Sequence, residues 1–326
     1  MVRPAFPLVA AAALALAAGI PAGAAPSKVW VSKAGADSGT CGAASSPCAT
    51  FQQAVNNVPA GGEVGVLTPG DYGGIDIEKS VNVTNDGSGE ASILGFDDVF
   101  IHAGRGNVVS LRGLVVDGQG VGTFGIEVSQ ASATHIQNCV IRNFNGIQGS
   151  AGIFFVPSAN EQLFVSDTVI STSGLSFGQF GGGAILIQTF FANAADVVLD
   201  RVVLENNWEG VVIDGRTNPA AGPGSHVIVR NSVISGNTAS GIHAFTQAGA
   251  APAFAFVEGS AIASNGGSGI LADGPGATLL LHASAVVRNA SGIATVNGGQ
   301  LISYGTNQIN NNVGPDGTPT GFDALN

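Results

Sequence analysis

One unit keeps recurring along this chain of 326 residues, and it constrains the fold more than any other feature. Its clearest copy is Ser225 to Phe245, SHVIVRNSVISGNTASGIHAF: an apolar strand, an Asn-rich corner, a Gly-Ile pair and a second short strand. The last apolar residue of the first strand anchors each copy, at Val116, Ile141, Ile170, Leu204, Ile234, Ile262, Val286 and Ile309. The separations are 25, 29, 34, 30, 28, 24 and 23 residues. Such periods belong to solenoids and propellers. A propeller blade takes four strands in about 40 residues, whereas each unit here holds two or three short ones, so stacked coils of a parallel β-helix are expected.

A second column fixes the register. Five residues before the anchors stand Leu111, Ile136, Val165, Leu199, Val229, Val257, Leu281 and Tyr304. Two before them stand Leu114, Cys139, Thr168, Val202, Ser232, Ser260, Ser284 and Asn307. Stacking would place successive members about 4.8 Å apart. One step beyond the inner column come Arg112, Gln137, Ser166, Asp200, Arg230, Glu258 and His282. Acid, base, acid and imidazole then lie above one another on an outer face, which stabilises the stack and pins its register. At the corners, Asn143, Asn206, Asn237, Asn265, Asn289 and Asn312 suit a repeated bend, because Asn tolerates left-handed backbone. Gly146, Gly210, Gly241, Gly269 and Gly292 follow, where positive φ would allow sharp re-entry into the next strand.

The chain begins MVR, continues through an Ala/Leu-rich run to Ile20, and offers Ala22-Gly23-Ala24 for cleavage. This is the pattern of a secretory signal peptide, residues 1–24, which places the mature protein in a secreted or periplasmic compartment. The run is shorter than the roughly 20 residues of a membrane span, and no membrane span is expected elsewhere. Cys41 and Cys48, in TCGAASSPCAT, are expected to form a disulfide in that compartment. Cys139 shares its column with Ser, Thr and Val and reads as core filler. A net charge of -11 without a Lys/Arg cluster gives no footprint for nucleic acid.

Before the repeats, Thr50-Phe51-Gln52-Gln53 reads as a capping box. Phe51, Ala54, Val55 and Val58 fall on one helical face, predicting a helix over residues 50–58. A helix there would cap the exposed first coil. The helix PCATFQQAVNN, the strand-turn GGEVGVLTPGDYGG and the repeated NSVISGN…GI resemble the right-handed parallel β-helix proteins of the pectate lyase-like (pectin lyase fold) superfamily. The resemblance covers about residues 28–312. It implies an all-β, right-handed parallel β-helix solenoid of about nine coils. We assign residues 25–312 to this domain and 313–326 to a Gly/Pro-rich C-terminal tail. Because this fold hosts many activities, function must come from a site.

The polysaccharide-cleaving members of that superfamily use clustered carboxylates, often with calcium and a basic residue. Asn-Thr-Asp, Gly-His-Gly and Arg-Ile-Lys motifs are absent; an Asp-Asp pair at Asp97-Asp98 is all that matches. No catalytic residue is carried over. Two weaker constellations come from stacking. Asp97, Asp98 and Asp117 with Arg142 could bind a uronate or act as an acid/base pair, or form a surface ion pair. Glu205, Trp208, Glu209 and Asp214 could present an aromatic platform beside carboxylates, or the Trp could simply pack under the loop Gly215–Gly224. The five His have no zinc spacing, so no metal site is assigned. No cofactor is assigned either; calcium is compatible with the carboxylates, but no motif specifies it. Outward apolar residues Phe154, Leu186, Val212 and Leu271 would mark a partner surface or a face covered by Ser171–Gly183. The first functional reading is a non-catalytic extracellular protein binding a polysaccharide or a cell-surface protein. The alternative is a divergent polysaccharide lyase or glycoside hydrolase on acidic polysaccharide. A groove with three or more carboxylates and an Arg would favour the alternative.

Overall fold

The computed structural model describes residues 27–96, 98–175, 181–190, 193–219 and 222–323. The expectations for residues 1–24 and Asp97, and for residues 176–180 of the expected cover Ser171–Gly183, lie outside these. Strands pair in parallel with their counterparts one coil away, winding the chain into a right-handed β-helix. Each coil runs through a long sheet, a short sheet and a third sheet. In one coil these are Gly224–Arg230, Val233–Ser235 and Ile242–Phe245. The short sheet has ten strands among the described residues. The other two join into one ribbon of nineteen because Val99–Arg112 and Phe124–Gln137, each 14 residues, run round the corner between them.

The anchors are true register partners from Val116 to Ile309, with Ile93 above them. The inner column is likewise in register from Leu111 to Leu281. Its last member is Ser303 rather than Tyr304. Ser303 Oγ accepts from Asn307 Nδ2 at 2.9 Å, which draws Ser303 inward; the Tyr304 ring turns out against His282.

The predicted corner Asn residues divide into two kinds. Asn143 and Asn206 occupy a left-handed bend, φ 63° and 57°, as do Thr172, Gly236, Ser264, Arg288 and Asn311 in other coils. One residue later the side chain turns inward, and the buried Asn207, Asn237, Asn265 and Asn289 form a ladder there that ends on the half-buried Asn312. Each Nδ2 donates to Oδ1 of the next at 2.8–3.1 Å. In a low-dielectric interior such fully satisfied chains specify one register.

Glycine serves the corners differently from the expectation. Gly210, Gly241 and Gly269 do not have positive φ. A Cβ there would lie 2.4–2.9 Å from the carbonyl oxygen of the glycine in the next coil, so these residues permit close stacking. A second left-handed bend lies three residues before each anchor from Val116 to Val286, at Gly113, Asn138, Asp167, Arg201, Asn231, Gly259 and Ala283.

The cap is a helix, Phe51–Asn57, whose Phe51, Ala54 and Val55 are buried. Thr50 Oγ1 accepts from the Gln53 amide at 3.2 Å, as expected. The reciprocal bond differs: Asp37, not Gln53, takes the Thr50 N–H, at 3.1 Å, while the Gln53 side chain bonds Asn57. Cys41 and Cys48 are disulfide-bonded, with Cα atoms 5.0 Å apart. At the other end the tail adds Gly321–Phe322 to the long sheet beside Ile302 and Ser303.

Candidate functional site

The residues singled out by stacking separate into distinct places. Asp117 and Arg142 are register neighbours, joined at 2.7 Å (Nε to Oδ2). Asp117 also accepts from Asn143 Nδ2 and the Gln119 amide, each at 2.9 Å. Burial pushes its carboxyl up, but these bonds from Asn143, Arg142 and Gln119 outweigh that and hold it below the usual range. These three contacts all lie within the coil corner. Asp98 lies elsewhere, on a groove along the third sheet.

Glu205 ends a short-sheet strand, and Trp208 is half-buried on the corner beyond it. Glu209 and Asp214 flank the next third-sheet strand, and both are buried. Glu209 Oε1 lies 3.1 Å from His243 Nδ1, and His243 Nε2 has no hydrogen-bond partner. Asp214 clasps Arg216 through Nε and Nη2, each at 2.8 Å, and accepts from Gln188. The Arg216 guanidinium lies 4.0 Å from the Phe245 ring centre. Glu209 and Asp214 are therefore buried carboxylates each held by a half-buried cation or imidazole, rather than parts of an open platform around Trp208. Leu186 and Val212, expected on an outward strip, are also buried, with Gly181 and Gly183 beside Val212.

An open groove of about 420 Å³ lies nearer the capped end. Gln52 of the helix, Asp76, Phe96, Asp98, Phe100 and Glu127 line it. The alternation of three triplets builds it. In Ile75-Asp76-Ile77, Val99-Phe100-Ile101 and Ile126-Glu127-Val128 the outer residues are buried. The middle ones stack outward as a column, Asp76, Phe100, Glu127. Gln52 Oε1 accepts from the Asp76 amide at 2.6 Å, tying the helix to this edge. Burial raises the Glu127 carboxyl above its ordinary value, and the charge on Asp98 raises it further. Phe96 is 79% exposed, a bare aromatic at the rim.

An adjoining recess shares Gln52 and Asp76 and adds Glu78 and Lys79. His102 stands beside it, its ring tilted against Phe100 with centroids 4.7 Å apart. Its Nε2 bonds Glu78 at 3.1 Å; its Nδ1 is 2.9 Å from Asp76, within ion-pair distance but outside hydrogen-bond geometry. The two ring nitrogens point apart, so one ion could use only one of them.

A separate cavity of about 290 Å³ is lined by Arg105, Ser132, Asn160, Glu161 and Asn193. Glu161 is 2% exposed and accepts from the Ala131 and Ala159 amides at 3.1 and 3.2 Å. Burial nevertheless raises its carboxyl to about 7.

The model of the family described as "Right handed beta helix region" matches residues 80–277, more than half of the chain. The protein belongs to the right-handed β-helix family. The crystal structure of pectate lyase Pel9A is similar to this β-helix protein, with 16% identity over 88% of this chain and 72% of that one, at a TM-score of 0.36. No curated protein sequence matches it.

Proposed function

We propose that this is an exported protein that binds neutral glycan in the groove of Asp76, Phe96, Asp98, Phe100 and Glu127. The observation that carries the reading is the juxtaposition of two phenylalanine rings with three carboxylates and an amide in one open groove. Aromatic faces stack on the apolar faces of sugar rings, and carboxylates accept from sugar hydroxyls. The groove has no Arg among its lining residues, so it lacks the cation that a uronate would require. Its acidic walls repel polyuronates by the same logic. The disulfide fits an oxidising compartment and supports export.

Glu127 favours a second reading, as the acid of a glycoside hydrolase. A carboxyl raised by burial beside a second carboxylate, Asp98, is how an acid and an ionised partner are separated. Glycan arrays with and without calcium, followed by calorimetry on the hits, test the first reading. Neutral oligosaccharides are expected to bind, and Phe100→Ala should weaken them about tenfold, the size of one lost aromatic contact. New reducing ends from a bound glycan, abolished by Glu127→Gln with binding retained, would establish the hydrolase. Binding confined to polyuronates, or none on the array, would refute the groove as a neutral-glycan site.

A further inference from the structure

The outer face of the long sheet carries three columns of side chains. The central one is apolar through six consecutive coils: Phe164, Val198, Ile228, Phe256, Leu280 and Ile302. Ile228 is 39% exposed, and the other five are half-buried. On one side runs the column Asp200, Arg230, Glu258, His282, and on the other Asp196, His226, Phe254, Thr278. An apolar centre, widened at Phe254, between otherwise polar margins is the anatomy of a protein interface. We infer that this face pairs with the same face of a second copy, with the two solenoid axes antiparallel.

The order of charges selects that arrangement. A two-fold axis lying along the strands, between the Arg230 and Glu258 coils, reverses the column against itself. Arg230 then faces Glu258 of the second copy, and Asp200 faces His282. The two open pairs, Arg230 on Glu258 and Glu258 on Arg230, are acid against base, whereas Asp200 is largely buried among Arg201, Arg230 and Asn231. The central column meets itself as Ile228 on Phe256 and Val198 on Leu280, and no like charges oppose each other in the third column. An axis along the solenoid instead sets Arg230 against His226 and Glu258 against Phe254, so that no opposite charges meet. A closed two-fold interface of this kind uses one patch twice. Within each chain Arg230 already lies 3.3 Å from Asp200, and His282 3.0 Å from Glu258. Arg230 and Glu258 still keep nearly half of their side-chain surface open to a partner.

The area suffices. Six strands about 4.8 Å apart and about 20 Å long cover roughly 600 Å² per copy, or about 1,200 Å² in total, the lower end for specific complexes. The inference is independent of the glycan groove, which lies on the third sheet.

Light scattering coupled to size exclusion tests it with the full mature chain. The wild type is expected to be a dimer at micromolar concentration. Arg230→Glu alone and Glu258→Arg alone each oppose like charges twice in a homodimer, so each should run as a monomer. An equimolar mixture should recover the dimer, because each introduced charge then meets its opposite in the other variant. Ile228→Lys, at an exposed position, should be monomeric with an unchanged far-ultraviolet circular dichroism spectrum. A monomeric wild type, a dimer indifferent to these substitutions, or charge variants that fail to recover on mixing would overturn the proposal.

Discussion

Single residues in this molecule answer to the coils above and below them. Asn265 accepts from the Asn237 amide and side chain at 3.1 and 2.9 Å, and donates to Ile234 O and Asn289 Oδ1. Asn265→Ala strands those groups in the interior, where each unsatisfied partner costs about 1–3 kcal/mol. Urea unfolding should therefore show a loss of about 3 kcal/mol or more; a loss within error of zero would mean that water replaces the amide. Glu161 makes a pH prediction. Its folded pKa of about 7 stands above its ordinary 4.5, so the native state binds the proton more tightly than the unfolded chain does. Its contribution is greatest below the ordinary value and is lost as pH rises toward the folded one. Melting temperature should fall from pH 4.5 to 7 more steeply in the wild type than in Glu161→Gln, and parallel curves would remove Glu161 as the cause. The Asn residues themselves were legible in the sequence. Their division into a bend and a ladder was not, because the two positions differ by one residue and both accept Asn.

At the scale of elements, what could be read depended on loop length. The long and short sheets are joined by a bend of constant length in every coil from Leu111 to Leu281, so aligning the anchors aligned both, and the column from Arg112 to His282 came out in register. The return from third sheet to long sheet varies, which is why the groove residues Asp76, Phe100 and Glu127 escaped notice. Aligning the triplets around Asp76, Phe100 and Glu127 directly would have exposed them, since the flanking residues are Ile or Val in all three. Asp117 and Arg142 are register neighbours as the stacking predicted, and the fold joins them in an ion pair. The helix was readable from its cap and apolar face. Asp37 as its second capping partner lies 13 residues upstream of Thr50, beyond any local pattern.

For the whole molecule, the ends matter as much as the repeats. The helix closes the first coil with Phe51, whose ring lies 4.9 Å from Tyr72. Phe51→Asp would bury a carboxylate without a partner and unseat the helix, exposing a parallel strand edge. Such a variant should form concentration-dependent higher-order aggregates, seen by light scattering, rather than a defined dimer. A variant as dispersed as the wild type would show that the disulfide loop alone protects that end. At the far end the ladder closes on an anion: Asn312 Nδ2 donates to Asp316 Oδ1 at 2.8 Å. All five amides donate in the same sense, from the N-terminal coils toward the C-terminal ones. The column is therefore a wire of aligned dipoles with its positive pole at the terminus, and Asp316 is its counter-charge. A coil added beyond that point would have to supply another amide to continue the column, so this one carboxylate marks where the solenoid stops growing.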